Sequence, residues 1–401
     1  MALIDDPMNL AQELLPELID LRRTIHLSPE LGLDLPKTQS VVLDAIDGLG
    51  LEVRTGDRLS SVVADLNGAL PGPTILLRGD MDALPMPEDT GLDFASTIDG
   101  VMHACGHDAH TSMLVGAARV LSARRETLAG RVRFMFQPGE EGPGGAPLMI
   151  DEGVVDGVDA AFALHVAPNL WSGMVAYRPG PAMASADEVY ITVTGRGGHA
   201  STPHWAADPV PVACEIVLAL QSMITRTVDA FDPAVLTIAH IRGGTVNNVI
   251  PESVKLDGTL RCFSEHTRSA VMGRIRTVAQ GIAEAHGCTA DVDIVEGYPV
   301  TVNDPSFARF AASVADSVLG PSKTVEMPSP VMGAEDFSYV LNRVPGAMLF
   351  LGVCPPEHEN PFAAPACHSN RMVLHESAMA AGVAVHVGIA TAYLERGGEL
   401  T

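Results

Sequence analysis

Thr74-Ile75-Leu76-Leu77-Arg78-Gly79-Asp80-Met81-Asp82 is a short apolar run that discharges into two carboxylates two residues apart. It lacks the apolar/polar alternation of a half-buried strand and follows Pro71-Gly72-Pro73, so it reads as a strand covered on both faces. In an open α/β sheet, ligands bind at the carboxyl ends of such strands, which marks Asp80 and Asp82 as lying on the functional edge. The pattern recurs. Val132–Gln137 runs into Pro138-Gly139-Glu140-Glu141 and a Gly-Pro-Gly-Gly turn, and Ala160–Leu164 delivers His165. Three successive strands are thus expected to end on acidic or imidazole groups.

Between these runs, Asn9–Leu27, Thr38–Leu49 and Thr111–Thr127 place apolar residues three and four apart, the period of amphipathic helices, and Ser61–Leu66 reads as a further strand. Helices alternating with short buried strands predict an α/β domain with a mostly parallel sheet. From about Ser185 the order changes to strand Val189–Thr194, helix Pro209–Thr227, strands Val235–Ile241 and Val254–Cys262, helix His266–His286 and strand Ala290–Val295. This β-α-β-β-α-β order is that of a ferredoxin-like α+β unit. After Gly297 the α/β character resumes with Pro305–Leu319, Ala347–Val353 and Glu376–Leu394, while Pro355–Pro365 reads as a loop. The expected division is a discontinuous α/β domain, residues 1–184 and 297–401, interrupted by an inserted domain at residues 185–296.

The composition is that of a globular protein large enough for two cores, with 47% apolar residues among 401. The 49 acidic residues against 25 lysines and arginines give a net charge of −24, a field that repels nucleic acid and anionic membrane surfaces. Met1-Ala2-Leu3-Ile4-Asp5-Asp6 has no basic segment ahead of an apolar core, and no uninterrupted apolar run reaches bilayer length, so a cytoplasmic protein with no membrane partner is expected. The six cysteines, at 105, 214, 262, 288, 354 and 367, show no Cys-x-x-Cys spacing. Cys214, Cys262 and Cys288 sit in apolar periodic surroundings and are expected in cores, whereas Cys105 alone has a chemical neighbourhood.

That neighbourhood is His103-Ala104-Cys105-Gly106-His107-Asp108-Ala109-His110, with three imidazoles, a thiol and a carboxylate in eight residues. If extended, it projects 103, 105 and 107 from one face, and Gly106 permits a turn that brings Cys105 and His107 onto one ion. Sulfur and imidazole suit zinc better than calcium or magnesium, with manganese, cobalt or nickel as other occupants of such a site. Two divalent ions need five or six ligands. Cys105, His107, Glu141, His165 and His368 supply five, with Asp82 behind His107 to fix its tautomer. Neighbouring residues at a strand end point in different directions, so Glu141 is assigned to metal and Glu140 to general base and then general acid. A metal-binding or redox-sensing module that uses Cys105 as a reactive thiolate is the reading from another class, and it leaves Glu140-Glu141 without a role. A thiol hydrolase built on Cys105 and His107 is a third, but residues two apart rarely adopt nucleophile–base geometry.

These residues resemble the M20 family of metal-dependent peptidases and amidohydrolases, in its aminoacylase/hippurate hydrolase-like branch, which includes hydrolases of indole-3-acetic acid–amino acid conjugates. The matching stretches are Arg22-Arg23 with His26, Pro29–Gly32, Gly79–Pro85, His103–His110, Gln137–Glu141, Leu164-His165-Val166, Gly195–His204, Asn248–Pro251, Gly333–Phe337 and His368-Ser369. The resemblance implies cleavage of the amide of an N-acyl-L-amino acid, or, as the alternative on the same scaffold, a dipeptidase or aminopeptidase. It further implies that the inserted domain is a lid that forms a homodimer, that His199 polarises the substrate carbonyl, and that Asn248 and Arg261 bind substrate. Asp80 and Asp336 read as outer or structural residues. His103, His110, His204 and His375 carry no assignment.

Overall fold

A computed structural model describes residues 6–142 and 144–400; Met1–Asp5 of the amino-terminal stretch and Pro143 of the glycine-rich turn lie outside the described residues. The chain divides into two compact units. The first comprises Met1–Ala182, Val302–Ser329 and Asp336–Thr401, and the second comprises Met183–Thr301 with Pro330–Glu335.

Among the described residues, the first unit carries an eight-stranded mixed sheet with a parallel centre. Strand Leu70–Asp80 pairs in parallel with Ala129–Gln137 on one side and Ala160–Trp171 on the other, and Ala160–Trp171 pairs in parallel with Gly346–Cys354. Every residue of Gly346–Cys354 is buried, as are Ile75–Asp80, so alternate side chains have cover on both faces, as the unbroken apolar runs require. The register places Asp80 opposite Gln137, which brings the carboxyl ends of these two strands level. Helices Pro7–Leu27, His107–Ser122 and Met379–Glu395 pack together beside this sheet around one apolar core.

His165 does not end its strand. Pairing with Gly346–Cys354 runs on from Ala161 opposite Gly346 to Trp171 opposite Cys354, so the strand outlasts the apolar run that announced it. The helix expected at Thr111–Thr127 begins earlier, at His107, and ends at Ser122.

The second unit is a four-stranded antiparallel sheet in the spatial order Ala234–Gly243, Ser253–Cys262, Asp187–Thr194, Thr289–Glu296, with helices Pro209–Thr227 and Glu265–Ala285 between its strands in sequence. Its element order is β-α-β-β-α-β, and its core is its own. Helix Pro209–Thr227 buries Val212, Ala213, Ile216, Leu220 and Met223. Cys214 falls off that stripe and is exposed, which corrects its expected core position; Cys262 and Cys288 are buried.

Three helices begin at Asp-Pro: Asp6-Pro7, Asp208-Pro209 and Asp304-Pro305. In each, the aspartate side chain accepts a backbone N–H of the first turn while proline supplies a helical φ and needs no partner for an N–H it lacks. Among the described residues, two helices, Pro209–Thr227 and Glu376–Glu395, have the length and mean hydropathy of a membrane span, although polar residues interrupt both. In the second, 94% of the apolar window is buried in the protein, as in a core helix.

Phe162, fully buried at the centre of the parallel strands, tests the dependence of the first unit on this core. Phe162→Ala is expected to cost about 3–5 kcal/mol, read as a lower midpoint of chemical unfolding.

Candidate metal centre

The His103–His110 stretch is not extended throughout. Gly106 adopts a left-handed conformation (φ 83°) as the residue before helix His107–Ser122, and a Cβ there would lie 2.4 Å from Val166 Cγ2. Only glycine fits, for both backbone and space. The turn brings Cys105 and His107 close to each other at the helix start, rather than by strand alternation, and turns His110 inward one helical turn on.

Two overlapping sets of donors converge here: Cys105, His107 and His165, and Cys105, Glu141 and His368. Cys105 Sγ lies 3.4 Å from His165 Nε2, Glu141 Oε1 lies 3.7 Å from His107 Nε2, and it lies 3.2 Å from His368 Nε2. The structure therefore brings together all five residues expected as ligands. Nε2 of His107 and Oε1 of Glu141 are buried without a hydrogen-bond partner. Such orphaned groups are costly, and a cation is the partner their geometry fits. His165 Nδ1 donates to the Val166 carbonyl at 2.7 Å, which leaves the Nε2 lone pair facing Cys105. Burial, reinforced by His110, pushes the His165 pKa down to about 3 and keeps the ring in its neutral, ligating form.

A third group of donors, Asp80, His107 and His110, is near enough to hold an ion but is already engaged. His110 Nδ1 donates to Asp80 at 2.6 Å, and its Nε2 accepts the Val166 N–H at 2.8 Å, so neither nitrogen is free. Asp80 also accepts from Arg78 at 2.5 Å; burial raises its pKa, but the charges of Arg78, His107 and His110 outweigh this and hold it well below the usual carboxylate range. His110 therefore aligns Asp80 with the strand that carries His165, a role that its spacing alone did not disclose.

Asp82 lies behind the site. Its Oδ1 is 3.5 Å from His107 Nδ1, and its two oxygens accept the backbone N–H groups of Glu140 at 3.0 Å and Glu141 at 2.9 Å. One carboxylate thus orients an imidazole and a whole turn. The far side of that turn is closed by Gly144 and Gly145, whose N–H groups donate to the Gly139 carbonyl, and a Cβ on Gly145 would sit 1.7 Å from the Pro138 carbonyl oxygen. Asp336 anchors the same segment, accepting from Gln137 Nε2 at 2.7 Å and Ala146 N–H at 2.9 Å.

His368 is one of the described non-glycine residues with positive φ (67°), and its N–H donates to the Ala104 carbonyl at 2.8 Å. Strained backbone of this kind persists where the surroundings fix it, commonly at functional sites.

A buried ionic network lies beneath. Arg22 donates to Asp108 at 2.6 Å and to Glu376 at 3.1 Å, while His26 Nδ1 meets Asp108 at 2.7 Å and His26 Nε2 meets Glu88 at 3.2 Å. Burial opposes the charge on Asp108, yet Arg22 and His26 hold its pKa far below normal. The sequence signal was a pair of basic groups, Arg22 and His26, on the otherwise apolar face of the first helix. His103 stands beside His26, both of its nitrogens buried without partners, and burial lowers its pKa to about 3. His375 bonds Ser172 at 2.8 Å.

The remaining expected residues belong to the second unit. His199 pairs in register with Val249, and the Ala200 N–H donates to the Asn248 carbonyl at 3.0 Å, so His199 and Asn248 line one open pocket of about 450 Å³. Arg261 does not join them. It lies eight residues along the strand from Ser253, roughly 25 Å by strand rise, opposite Val235. His204 packs at a tilt against the exposed Trp205.

A mixed sheet bordered by a cluster of thiol, imidazole and carboxylate donors is the arrangement of a metal-binding hydrolase. Residues 76–392 match the model of peptidase family M20/M25/M40, and the chain belongs to that family. It is 37% identical over 397 residues to thermostable carboxypeptidase 1 of Saccharolobus solfataricus, covering 98% of this chain and 99% of the relative. It is 38% identical over 381 residues to IAA-amino acid hydrolase ILR1-like 4 of Arabidopsis thaliana, with 94% and 86% covered. The crystal structure of the Bacillus subtilis YXEP protein, a dinuclear metal-binding peptidase of the M20 family, superposes with a TM-score of 0.84 at 33% identity, covering 96% of this chain and 99% of that one.

Two variants test the supports of the site. Asp82→Ala releases two backbone amides and an imidazole and is expected to lower activity or metal affinity about 10- to 100-fold without unfolding the protein, as measured by metal titration beside turnover. Arg22→Met leaves Asp108 and Glu376 short of a partner and is expected to cost about 3 kcal/mol in urea unfolding.

Proposed function

We propose that the protein is a two-metal amidohydrolase that cleaves the amide bond of N-acyl-L-amino acids. The observation that carries this reading is the placement of Glu140. Asp82 holds the two adjacent backbone amides, so Glu141 reaches His107 and His368 while Glu140 Oε2 lies 4.0 Å from His107 Nε2 at the margin of the cluster.

Cys105, His107, Glu141, His165 and His368 are the residues that would hold the cations. Their sulfur, nitrogen and oxygen set favours zinc, with manganese, cobalt or nickel as further candidates. Bound divalent ions supply an acidified water and a polarised amide carbonyl. Glu140 accepts the proton of the attacking water and returns it to the departing amine nitrogen, so that the free amino acid leaves uncharged at nitrogen before it equilibrates with solvent. Asp82 keeps Glu140 aimed during both transfers.

His199 is assigned to the developing oxyanion. Its Nδ1 accepts the Ser201 N–H at 3.1 Å and faces Ser201 Oγ at 2.7 Å, so the neutral ring carries its proton on Nε2, available for donation to a carbonyl oxygen. Asn248, in the same pocket, is a further substrate contact. Arg261, apart from both, suits a substrate carboxylate through a bidentate pair. The second unit is taken as the lid and dimer-forming domain; exposed Leu218, Val235 and Ile241 on it support a surface between copies. The described cysteines are free thiols, consistent with a cytoplasmic enzyme.

A second reading is a peptidase, favoured by the carboxypeptidase named among the relatives. Hydrolysis of a panel of N-acetyl, N-benzoyl and long-chain N-acyl amino acids beside plain dipeptides separates the two, since preference for a free α-amino group selects the peptidase.

Glu140→Gln is expected to retain both metals by elemental analysis and to lose turnover about 100-fold or more; undiminished turnover would overturn the mechanism. Cys105→Ala is expected to lose metal. His199→Ala is expected to lower kcat about 100-fold with little change in bound metal.

A further inference from the structure

Of the five donors, Cys105 and His107 are buried and Glu141 and His165 half-buried, whereas the His368 side chain is 57% exposed. An imidazole with so little packing around it is aimed by its backbone, which here has positive φ inside a tight loop. The Ser369 N–H donates to the Ala366 carbonyl at 3.1 Å, and the Met372 N–H to the Ser369 carbonyl at 3.0 Å. Two outside contacts hold this loop. On one side the His368 N–H donates to the Ala104 carbonyl at 2.8 Å. On the other, the Asp89 N–H donates to the Asn370 carbonyl at 2.7 Å, and the Asp89 carboxylate accepts Arg371 Nε at 2.9 Å and Nη2 at 2.7 Å.

Asp89 is held in turn through its neighbour. Glu88 Oε1 accepts His26 Nε2 at 3.2 Å and the Thr90 hydroxyl, and Oε2 accepts the Ser96 N–H at 2.7 Å. His26 turns Nδ1 to Asp108 at 2.7 Å. Both partners of the ring are carboxylates, which accept and do not donate, so His26 carries both protons and a positive charge. Burial works against that charge, yet Asp108 and Glu88 hold the His26 pKa above the usual histidine value. The Arg22 guanidinium, 3.3 Å from His26 Nδ1, also meets Asp108, so one carboxylate serves both cations. Farther along, the Thr97 N–H donates to the Leu27 carbonyl at 3.0 Å, and Phe94 lies under the guanidinium groups of Arg22 and Arg23. Residues 88–97 thus form a strap bound at both ends to helix Pro7–Leu27, and Asp89 is the part of it that reaches the His368 loop.

We propose that Glu88 is a positioning residue for His368: it fixes Asp89 against Asn370 and Arg371, and so sets the loop that aims the His368 imidazole at the cation it would hold with Cys105 and Glu141. This role rests on the assignment of His368 as a metal ligand. Glu88 itself touches none of the five donors, so its effect passes through Asp89. The Asp89–Arg371 ion pair is a weak link, because both side chains are more than half exposed and water screens them. The backbone bond to Asn370 and the Glu88 anchor, whose side chain is 4% exposed, carry the coupling. Cys105, His107 and His165 form a separate set held by the Gly106 turn and the parallel sheet. Loosening the strap therefore weakens one cation and spares the other.

Full-length parent, Glu88→Gln, Asp89→Ala, His368→Ala and the double variant Glu88→Gln/His368→Ala are stripped with chelator and titrated with zinc, and their urea unfolding is followed in parallel. His368→Ala is expected to keep the first zinc tight and weaken the second. Glu88→Gln is expected to weaken the same second zinc about tenfold and leave the first unchanged. Asp89→Ala, at the exposed part of the strap where folding is not at risk, is expected to weaken it about two- to fivefold. In the His368→Ala background, Glu88→Gln is expected to add nothing, since a residue that acts through an imidazole has no effect once the imidazole is gone. Additive losses in the double variant, or a lower unfolding midpoint for Glu88→Gln with both zinc affinities intact, show a merely structural role and overturn the proposal. Unchanged zinc binding in His368→Ala overturns His368 as a ligand, and the positioning role of Glu88 with it.

Discussion

The Asp82 carboxylate is the interaction on which the site depends. It accepts two consecutive backbone amides, those of Glu140 and Glu141, and abuts His107. Three segments far apart in sequence are held by one side chain. The two N–H groups replace hydrogen bonds to the water the carboxylate has lost on burial. The turn that separates a metal-facing glutamate from a proton-transferring one is thus set by a residue that performs neither task.

Around this centre the first unit tolerates a density of buried charge that a purely apolar core would avoid. Arg78, Asp80, Gln137, His110 and Asp336 form one connected set, and Arg22, His26, Glu88, Asp108 and Glu376 form another. Each charge meets its opposite at hydrogen-bond distance, the condition under which burial of ions is sustainable. Both sets end beside helix His107–Ser122, one through His110 and the other through Asp108. That helix is consequently positioned by charge on its first turn and by apolar packing along the rest of its length.

Much of this was legible in the sequence. Apolar runs with Pro or Gly borders located the central strands, and the change from α/β alternation to β-α-β-β-α-β marked the second unit. Of the five clustered donors, Glu141 follows a strand whose end the periodicity placed, whereas Cys105 and His107 were named from the density of donors in one short stretch and His368 from its residue type alone. What escaped has physical causes. The turn at Gly106 depends on a positive φ that the residue type permits without demanding. His110 escaped because its role lies in a bond to a backbone amide fifty-six residues away, at Val166. His165 seemed to end a strand because pairing with Gly346–Cys354, contributed from far along the chain, extends it. The separation of Arg261 from His199 and Asn248 follows from strand length, which residue chemistry does not report.

The discontinuity of the first unit also bears on synthesis. Strand Gly346–Cys354 sits inside its sheet, between Ala160–Trp171 and Val175–Tyr177, and the final helix, Met379–Glu395, packs against the first, Pro7–Leu27. A nascent chain that has emerged only through residue 301 holds every strand of the second unit's four-stranded sheet, yet it lacks an interior strand and the central helix of the first. The inserted unit can therefore close while the ribosome is still at work. The first unit lacks that interior strand until Gly346–Cys354 has been made, and of the five donors only His368 comes after the second unit.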